Sequence, residues 1–376
     1  MNAATEFADT PNASLAQQRV ASALRTDLII QILQPYAKSQ LVLPLLIFFA
    51  DMGAYLLVLF CSLFASNIWL QTLCAILTGF SIGILFIVGH DSCHGSFTQV
   101  KWLNHLLGRL CFLPSLHPFS LQHVWHNRTH HRYTNYTEKD FLFAPMSKEQ
   151  YETMSSARQA LYRLYRTWMG HGIYYFYEIW WKKMIRYPRS EIGNLPVQLW
   201  DRLLVGMGAI SFLTLLTFLP SLATPWGFTG LVAWKCILFG FIIPYIVWNW
   251  MMGFLIYQHH THPTVAWFKD YDQWDYMNAQ MEGSVHVRYP TAFNLLLHNI
   301  MEHTAHHAHM QIPLYRLKAA QIELQQNCNH HMRVIDWSWK EYFRSVRDCK
   351  LYDYKTHHWL NFQGNRTSPC TLADYL

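Results

Sequence analysis

Charge is scarce in this chain: only 14% of its 376 residues are Asp, Glu, Lys or Arg, against 52% hydrophobic and 16% aromatic. That balance argues against an ordinary water-soluble domain, while a near-neutral overall hydropathy confines the lipid-embedded part to a fraction of the chain. Paired cysteines are missing too. The eight Cys show no CxxC spacing, which excludes the usual zinc and iron–sulfur patterns and leaves free thiols as the expectation. Neither a GxGxxG nucleotide fingerprint nor an HExxH protease motif occurs. The first 25 residues carry Glu6, Asp9, Arg19 and Arg25, so no cleavable signal peptide is expected.

What is there is concentrated in apolar runs. Leu41–Phe64 is apolar apart from Asp51, and Trp69–Gly89, Leu203–Leu219 and Ile237–Tyr257 carry no charge. Each approaches or exceeds the ~17–25 residues that cross a hydrocarbon core. An Asp within a span costs roughly 2.5–3.5 kcal/mol at mid-membrane, so Asp51 is expected to face the bundle interior or lie near an end. Of 29 Lys and Arg, three precede the first run, fourteen lie between residues 91 and 202, and eleven follow residue 258. The connections Ala65–Ile68 and Pro220–Gly230 have none. The positive-inside rule then places both termini and the long central loop in the cytoplasm. The net charge of +6 fits anionic lipid headgroups better than nucleic acid.

Three histidine clusters lie on that same side: His90 and His94 in GHDSCHGSF, His126, His130 and His131 in WHNRTHHRYTN, and His303, His306 and His307 in HNIMEHTAHHAHM. Residues three and four apart share a helical face, so the first and third clusters each converge. A lone histidine is more often a hydrogen-bonded interfacial residue than a ligand. Three clusters, two with adjacent HH pairs and no cysteine cluster among them, point instead to iron, copper or zinc.

Between the runs, Leu106–Leu121 is apolar but too short to cross, and is expected to lie at the interface or to re-enter. The stretch YRLYRTWMGHGIYYFYEIWWKKMIRYP mixes aromatic and basic residues like a helix in the headgroup region, with Tyr175, Trp180 and Trp181 in an aromatic belt. The expected organisation is a cytoplasmic N-terminal tail and amphipathic helix over 1–40, a membrane domain over 41–320 and a cytoplasmic C-terminal tail over 321–376. Spans are expected at about 41–64, 69–89, 203–222 and 237–257, with cytoplasmic segments 90–202 and 258–320.

These boxes resemble those of the membrane fatty acid desaturase family, which read HxxxH, HxxHH or HxxxHH, and HxxHH. The third region resembles the methyl-end (omega) branch, through YQHHTHPTVAWFKDYDQWDY upstream, HNI before the box and QIPLYRLKAAQ after it. The likeness runs over about residues 40–320. It implies an all-α integral membrane fold: four transmembrane helices, and a cytoplasmic helical cap carrying a di-iron site over an acyl tunnel. It assigns His90, His94, His126, His130, His131, His303, His306 and His307 as ligands, with a further histidine just beyond the last span. In QHHTHP the alignment favours His260 over His259 and His262. Where acyl-CoA relatives place an Asn holding a metal-bound water, this chain has Ile256.

The implied reaction is oxygen-dependent desaturation: O₂, two electrons and two protons yield a cis double bond and two waters, chemistry that acid–base side chains cannot perform. Asp91, Glu302, Asp272 and Asp275 are candidates to orient ligand imidazoles. No HPGG segment of a fused cytochrome b5 occurs, so electrons are expected from a separate ferredoxin, rubredoxin or cytochrome b5. The expected partners are a fatty acyl substrate on lipid, CoA or carrier protein, and membrane lipids. The boxes alone do not separate a desaturase from a hydroxylase, acetylenase, conjugase or carotenoid-type oxygenase. A non-enzymatic metal transporter or sensor would call for histidines or carboxylates within the spans, where the four apolar runs hold only Asp51.

The second box has a spacing problem. On a regular α-helix His131 lies about 140° from His126, off the shared face. A local i→i+5 widening, at about 4.4 residues per turn, brings both His130 and His131 within about 50° of it. A π-type bulge absorbed by Asn127–Thr129 is therefore expected.

Overall fold

The computed structural model describes residues 15–187, 197–223, 233–328 and 332–372. The expected N-terminal tail before residue 15, most of the Pro220–Gly230 connection and the last four residues lie outside them. The chain divides into two compact units, Ser39–Trp125 with His171–Phe254, and Met1–Lys38 with His126–Gly170 and Leu255–Leu376.

Among the described residues, four helices are long and apolar enough to cross a membrane: Val42–Phe64, Ile68–His94, Leu199–Phe218 within Leu199–Ala223, and Ala233–His260. Val42–Phe64 and Leu199–Phe218 leave most of their apolar side chains uncovered, as lipid-facing ones do, Phe49 being 65% exposed and Ile210 68%, whereas more than half of the apolar stretch is buried in the other two. Two of the helices outrun their apolar sequence. Ile68–His94 has 27 residues, a rise of about 40 Å against a hydrocarbon core of about 30 Å. The surplus turns carry the histidines. Asn67 starts this helix by accepting from the N–H groups of Trp69 and Leu70, and Gly95 stops it in the left-handed conformation at φ 75°. The stop falls one residue after His94.

Within the membrane-type unit, small residues let the second and fourth helices approach. A Cβ at Gly79 or Gly83 would collide with Val247 or Met251. The short apolar piece Leu106–Leu121 is divided between the end of the helix Lys101–Phe112 and the short helix Phe119–Gln122, and the former packs back on the second helix through Phe86 and Phe112, their rings 4.9 Å apart. Arg109 Nε donates to Asp201 Oδ1 at 2.7 Å and the Ser120 N–H to Oδ2 at 2.9 Å, satisfying a buried carboxylate. Asp51 is half-buried. The aromatic-belt expectation fails for Tyr175. It is buried, its hydroxyl donating to His117 Nε2 at 3.2 Å, and Trp180 Nε1 donates to the Leu116 carbonyl. Hydrogen-bonded handles, which composition does not reveal, draw both rings inward.

The other unit is not wholly helical. Val285–Arg288 pairs in parallel with Arg333–Asp336, Val285 opposite Arg333, and Leu351–Asp353 forms an antiparallel pair with His358–Leu360. These short strands correct the all-α expectation, although helices dominate. The described C-terminal residues are firmly packed: Trp359 is fully buried and donates to the Val265 carbonyl, and Tyr257 donates to the Ser345 carbonyl. The N-terminal helix Leu15–Leu33 buries Ile29 and Leu33 and ends just ahead of Pro35.

Candidate metal centre

The second histidine box lies on a π-helix, His123–His130, continued by the His131 N–H donating to the His126 carbonyl at 2.9 Å. This is the widening that the HxxxHH spacing calls for. It is broader than Asn127–Thr129, however, beginning at His123. Its effect also differs from a single shared face. His131 Nε2 meets His126 Nε2 at 2.9 Å, whereas His130 turns toward His260, with rings 4.6 Å apart.

Two groups result within this unit. His130, His260, His303 and His307 are all buried and offer ring nitrogens within 4.8 Å of one another. His126, His131 and His306 form the other, again within 4.8 Å. The third box supplies both, because the helix His303–Ala308 directs His303 and His307 to the first group and His306 to the second. In the membrane-type unit, His90 and His94 stand one turn apart at the end of their helix, Nε2 to Nε2 3.4 Å.

Hydrogen bonds on the outer nitrogens set the tautomers. His130 Nδ1 faces both carboxylate oxygens of Asp140 at 3.1 Å. His260 Nδ1 faces the Gly283 carbonyl at 3.3 Å, and His307 Nδ1 the Gln280 Oε1 at 2.9 Å. Each acceptor fixes a proton on Nδ1 and leaves an Nε2 lone pair pointing inward. The inward nitrogens then crowd one another, His260 Nε2 lying 3.1 Å from His303 Nε2. His307 Nε2 and His303 Nδ1 are buried with no hydrogen-bond partner, which is costly for a polar group away from water. Burial, followed by the neighbouring imidazoles, holds His303 and His307 well below the usual histidine range, in the neutral form a metal needs. Converging neutral imidazoles with orphaned lone pairs suit a borderline transition cation.

The histidines at and just beyond the end of the fourth helix separate cleanly. His260 joins the four-histidine group. His259 stacks on the His303 ring at 3.6 Å, and His262 faces Glu341 and Thr264. His123 faces the Cys93 carbonyl at 3.1 Å. Among the candidate orienting carboxylates, Glu302 pairs with His286 instead, Asp275 caps the helix Tyr276–Glu282, Asp91 accepts from Ser96, and Asp272 is exposed. A carboxylate that does stand behind a box histidine is Asp140, which sequence reasoning missed. It lies ten residues beyond His130 across a turn, outside any helical spacing that would have marked it.

Residues 66–339 match the model of the fatty acid desaturase family. The chain belongs to that family. The desaturase is 30% identical over 287 residues to an sn-1 oleoyl-lipid 12-desaturase of Picosynechococcus sp., covering 76% of this chain and 78% of that one. To a chloroplastic omega-6 fatty acid desaturase of Glycine max it is 29% identical over 288 residues, covering 76% of this chain and 63% of the soybean protein. An sn-1 oleoyl-lipid 12-desaturase of Arthrospira platensis is 31% identical over 247 residues, 65% of each chain. The chain therefore sits in the omega branch, as an oxidoreductase that desaturates fatty acyl groups in a membrane. The matched stretch contains every box histidine and His260.

Proposed function

We propose that this protein is an O₂-dependent di-iron desaturase that introduces a further cis double bond into an unsaturated acyl chain. Similarity to oleoyl-lipid 12-desaturases over three quarters of the chain carries this reading and favours an oleoyl group on lipid, desaturated at position 12. The proposed iron ligands are His90, His94, His126, His130, His131, His260, His303, His306 and His307. Bound iron supplies the oxidising power that removes hydrogens from an unactivated methylene. The protein's own part is placement: Asp140, Gln280 and the Gly283 carbonyl hold ring orientation, so ligand geometry costs no reorganisation during turnover. Burial of His130, His260, His303 and His307 keeps bulk water away from the reacting centre.

In this reading residues 41–320 are the desaturase domain, with 1–40 and 321–376 as its cytoplasmic extensions. The asymmetry of Lys and Arg supports four crossings with both termini and the histidine boxes in the cytoplasm, and the membrane in this reading is a bacterial inner membrane. A separate ferredoxin, rubredoxin or cytochrome b5 delivers the electrons. The test is expression in a host with simple lipids, followed by double-bond localisation in its fatty acids. A new dienoic acid with its second bond at position 12 is expected. A product heavier by one oxygen, or no new product with iron bound, would overturn the proposal.

A further inference from the structure

A chain of aromatic rings leads from the four-histidine group to the protein surface. Trp274 Nε1 donates to the Thr134 carbonyl at 2.9 Å, and the Thr134 hydroxyl lies 3.3 Å from His307 Nδ1. Around Trp274 gather Tyr271 at 5.6 Å, Tyr133 at 6.0 Å, Tyr136 at 6.1 Å and Tyr276 at 6.3 Å between ring centroids. Tyr136 and Tyr271 are 5.6 Å apart. Exposure rises along the chain: Thr134 is buried, Trp274 and Tyr136 are half-buried, and Tyr271 is 57% exposed. Plain packing explains aromatic pairs in a core. It does not explain five of the most easily oxidised side chains lined up between a metal-type site and water.

We propose that this cluster is a protective electron relay, which refills the histidine site when oxygen has been activated without an acyl chain to attack. The inference rests on the di-iron reading above. An oxidising equivalent at the site takes one electron from Trp274 through the Thr134 hydrogen bonds. Thr134 offers only a carbonyl to the indole N–H, so the proton is not lost there and the vacancy passes to a tyrosine. Tyr271 gives up the electron and releases its phenolic proton to water, leaving a neutral tyrosyl radical. A soluble thiol returns a hydrogen atom to that oxygen, and two thiyl radicals couple to a disulfide. The net result is two thiols oxidised for two equivalents drained. The alternative fate of such an equivalent is oxidation of the ligand imidazoles themselves.

The experiment uses the full-length, iron-loaded enzyme in lipid nanodiscs, first shown to desaturate its acyl substrate. The protein is reduced, mixed with O₂ in the absence of acyl chain, freeze-quenched and examined by electron paramagnetic resonance. Peptide mapping then locates oxidised residues. Wild type should give an organic radical whose hyperfine pattern changes with ring-deuterated tyrosine, and oxidation should fall on the 271–276 segment. Tyr271→Phe should keep the initial desaturation rate, lose the tyrosyl signal and gain oxidation at His303, His306 and His307. Trp274→Phe should lose the signal as well. A metal-loaded, active wild type with no radical, or variants with wild-type radical yield and oxidation map, would overturn the relay alone. A wild type without iron or turnover would overturn the di-iron reading together with it.

Discussion

Asp140→Asn separates orientation of a ligand from mere occupancy of its site. Asp140 is fully buried, and its two oxygens face His130 Nδ1 at 3.1 Å while also accepting from the Asn135 N–H at 2.9 Å and the Leu142 N–H at 3.2 Å. Asparagine keeps the volume but replaces one acceptor by a donor. Because Oδ1 accepts from Leu142 and Oδ2 from Asn135, either orientation leaves one backbone N–H facing an NH₂ group. A second outcome, added to the first, is that the amide donates to His130 Nδ1 and drives the imidazole proton onto Nε2, the nitrogen aimed at the cluster. The first outcome leaves a buried donor unsatisfied, at about 1–3 kcal/mol of folding stability. The second weakens metal binding; loss of such an outer partner lowers affinity by about 10–100-fold, or about 1.4–2.7 kcal/mol. The two are distinguishable. Chelator competition on the purified protein reads iron affinity, and thermal unfolding of the metal-free protein reads the fold. The expected result is an affinity loss within that range accompanied by a fall in turnover. Wild-type affinity and turnover in Asp140→Asn would refute the claim that this carboxylate sets the His130 tautomer.

Further outcomes follow from the same geometry. His260→Ala should abolish turnover and lower iron content, whereas His123→Ala gives up one bond to the Cys93 carbonyl, worth about 1 kcal/mol, and should keep both; the converse pattern in metal analysis would reverse the assignment. Deleting one residue of Asn127–Thr129 restores an HxxHH spacing that an ordinary helix accommodates, so the deletion should retain more iron and activity than a one-residue insertion. His117 is buried, and its Nδ1–H is committed to the Ser115 carbonyl and its Nε2 to the Tyr175 hydroxyl. Desolvation pushes its pKa down to about 4. Below the ordinary value near ~6.5 the unfolded chain gains a proton the folded one refuses, so stability is full above that pH and falls by up to about 3 kcal/mol as pH drops toward 4. Thermal melts in lipid at pH 8 and pH 5 should show that slope, and His117→Gln should flatten it.

Legibility tracked the range of the interactions involved. The spans and boxes were readable because hydrophobic length and helical spacing are local properties. The helix carrying His90 and His94 was harder to bound, since its polar end, GHDSCH, continues the helix past the last apolar residue to Gly95. The partners of the box histidines were least legible. Gln280 lies 27 residues before His307 and Asp140 ten beyond His130, each brought in by chain turns rather than by a helical repeat. Tyr175 was misread for a related reason. Its composition suits a headgroup belt, but its position is decided by the His117 lone pair.

The division of labour between the histidine groups shows why register matters more here than helix content. On an α-helix, His126 and His130 would share a face and His131 would stand apart. The π-helix reverses the pairing: the i→i+5 bond brings His126 and His131 into hydrogen-bonding contact, and His130 is freed to point the other way. One short segment thereby serves two groups of histidines, which an α-helix with the same residues would not do. The third box achieves a comparable split on ordinary helical geometry, His303 and His307 four residues apart on one side and His306 on the other. The extra residue in HxxxHH is thus not a loose variation on HxxHH. It demands a particular hydrogen-bond register, and restoring α-helical bonding there while keeping all three histidines should turn His131 away from His126 and dissolve the three-histidine group.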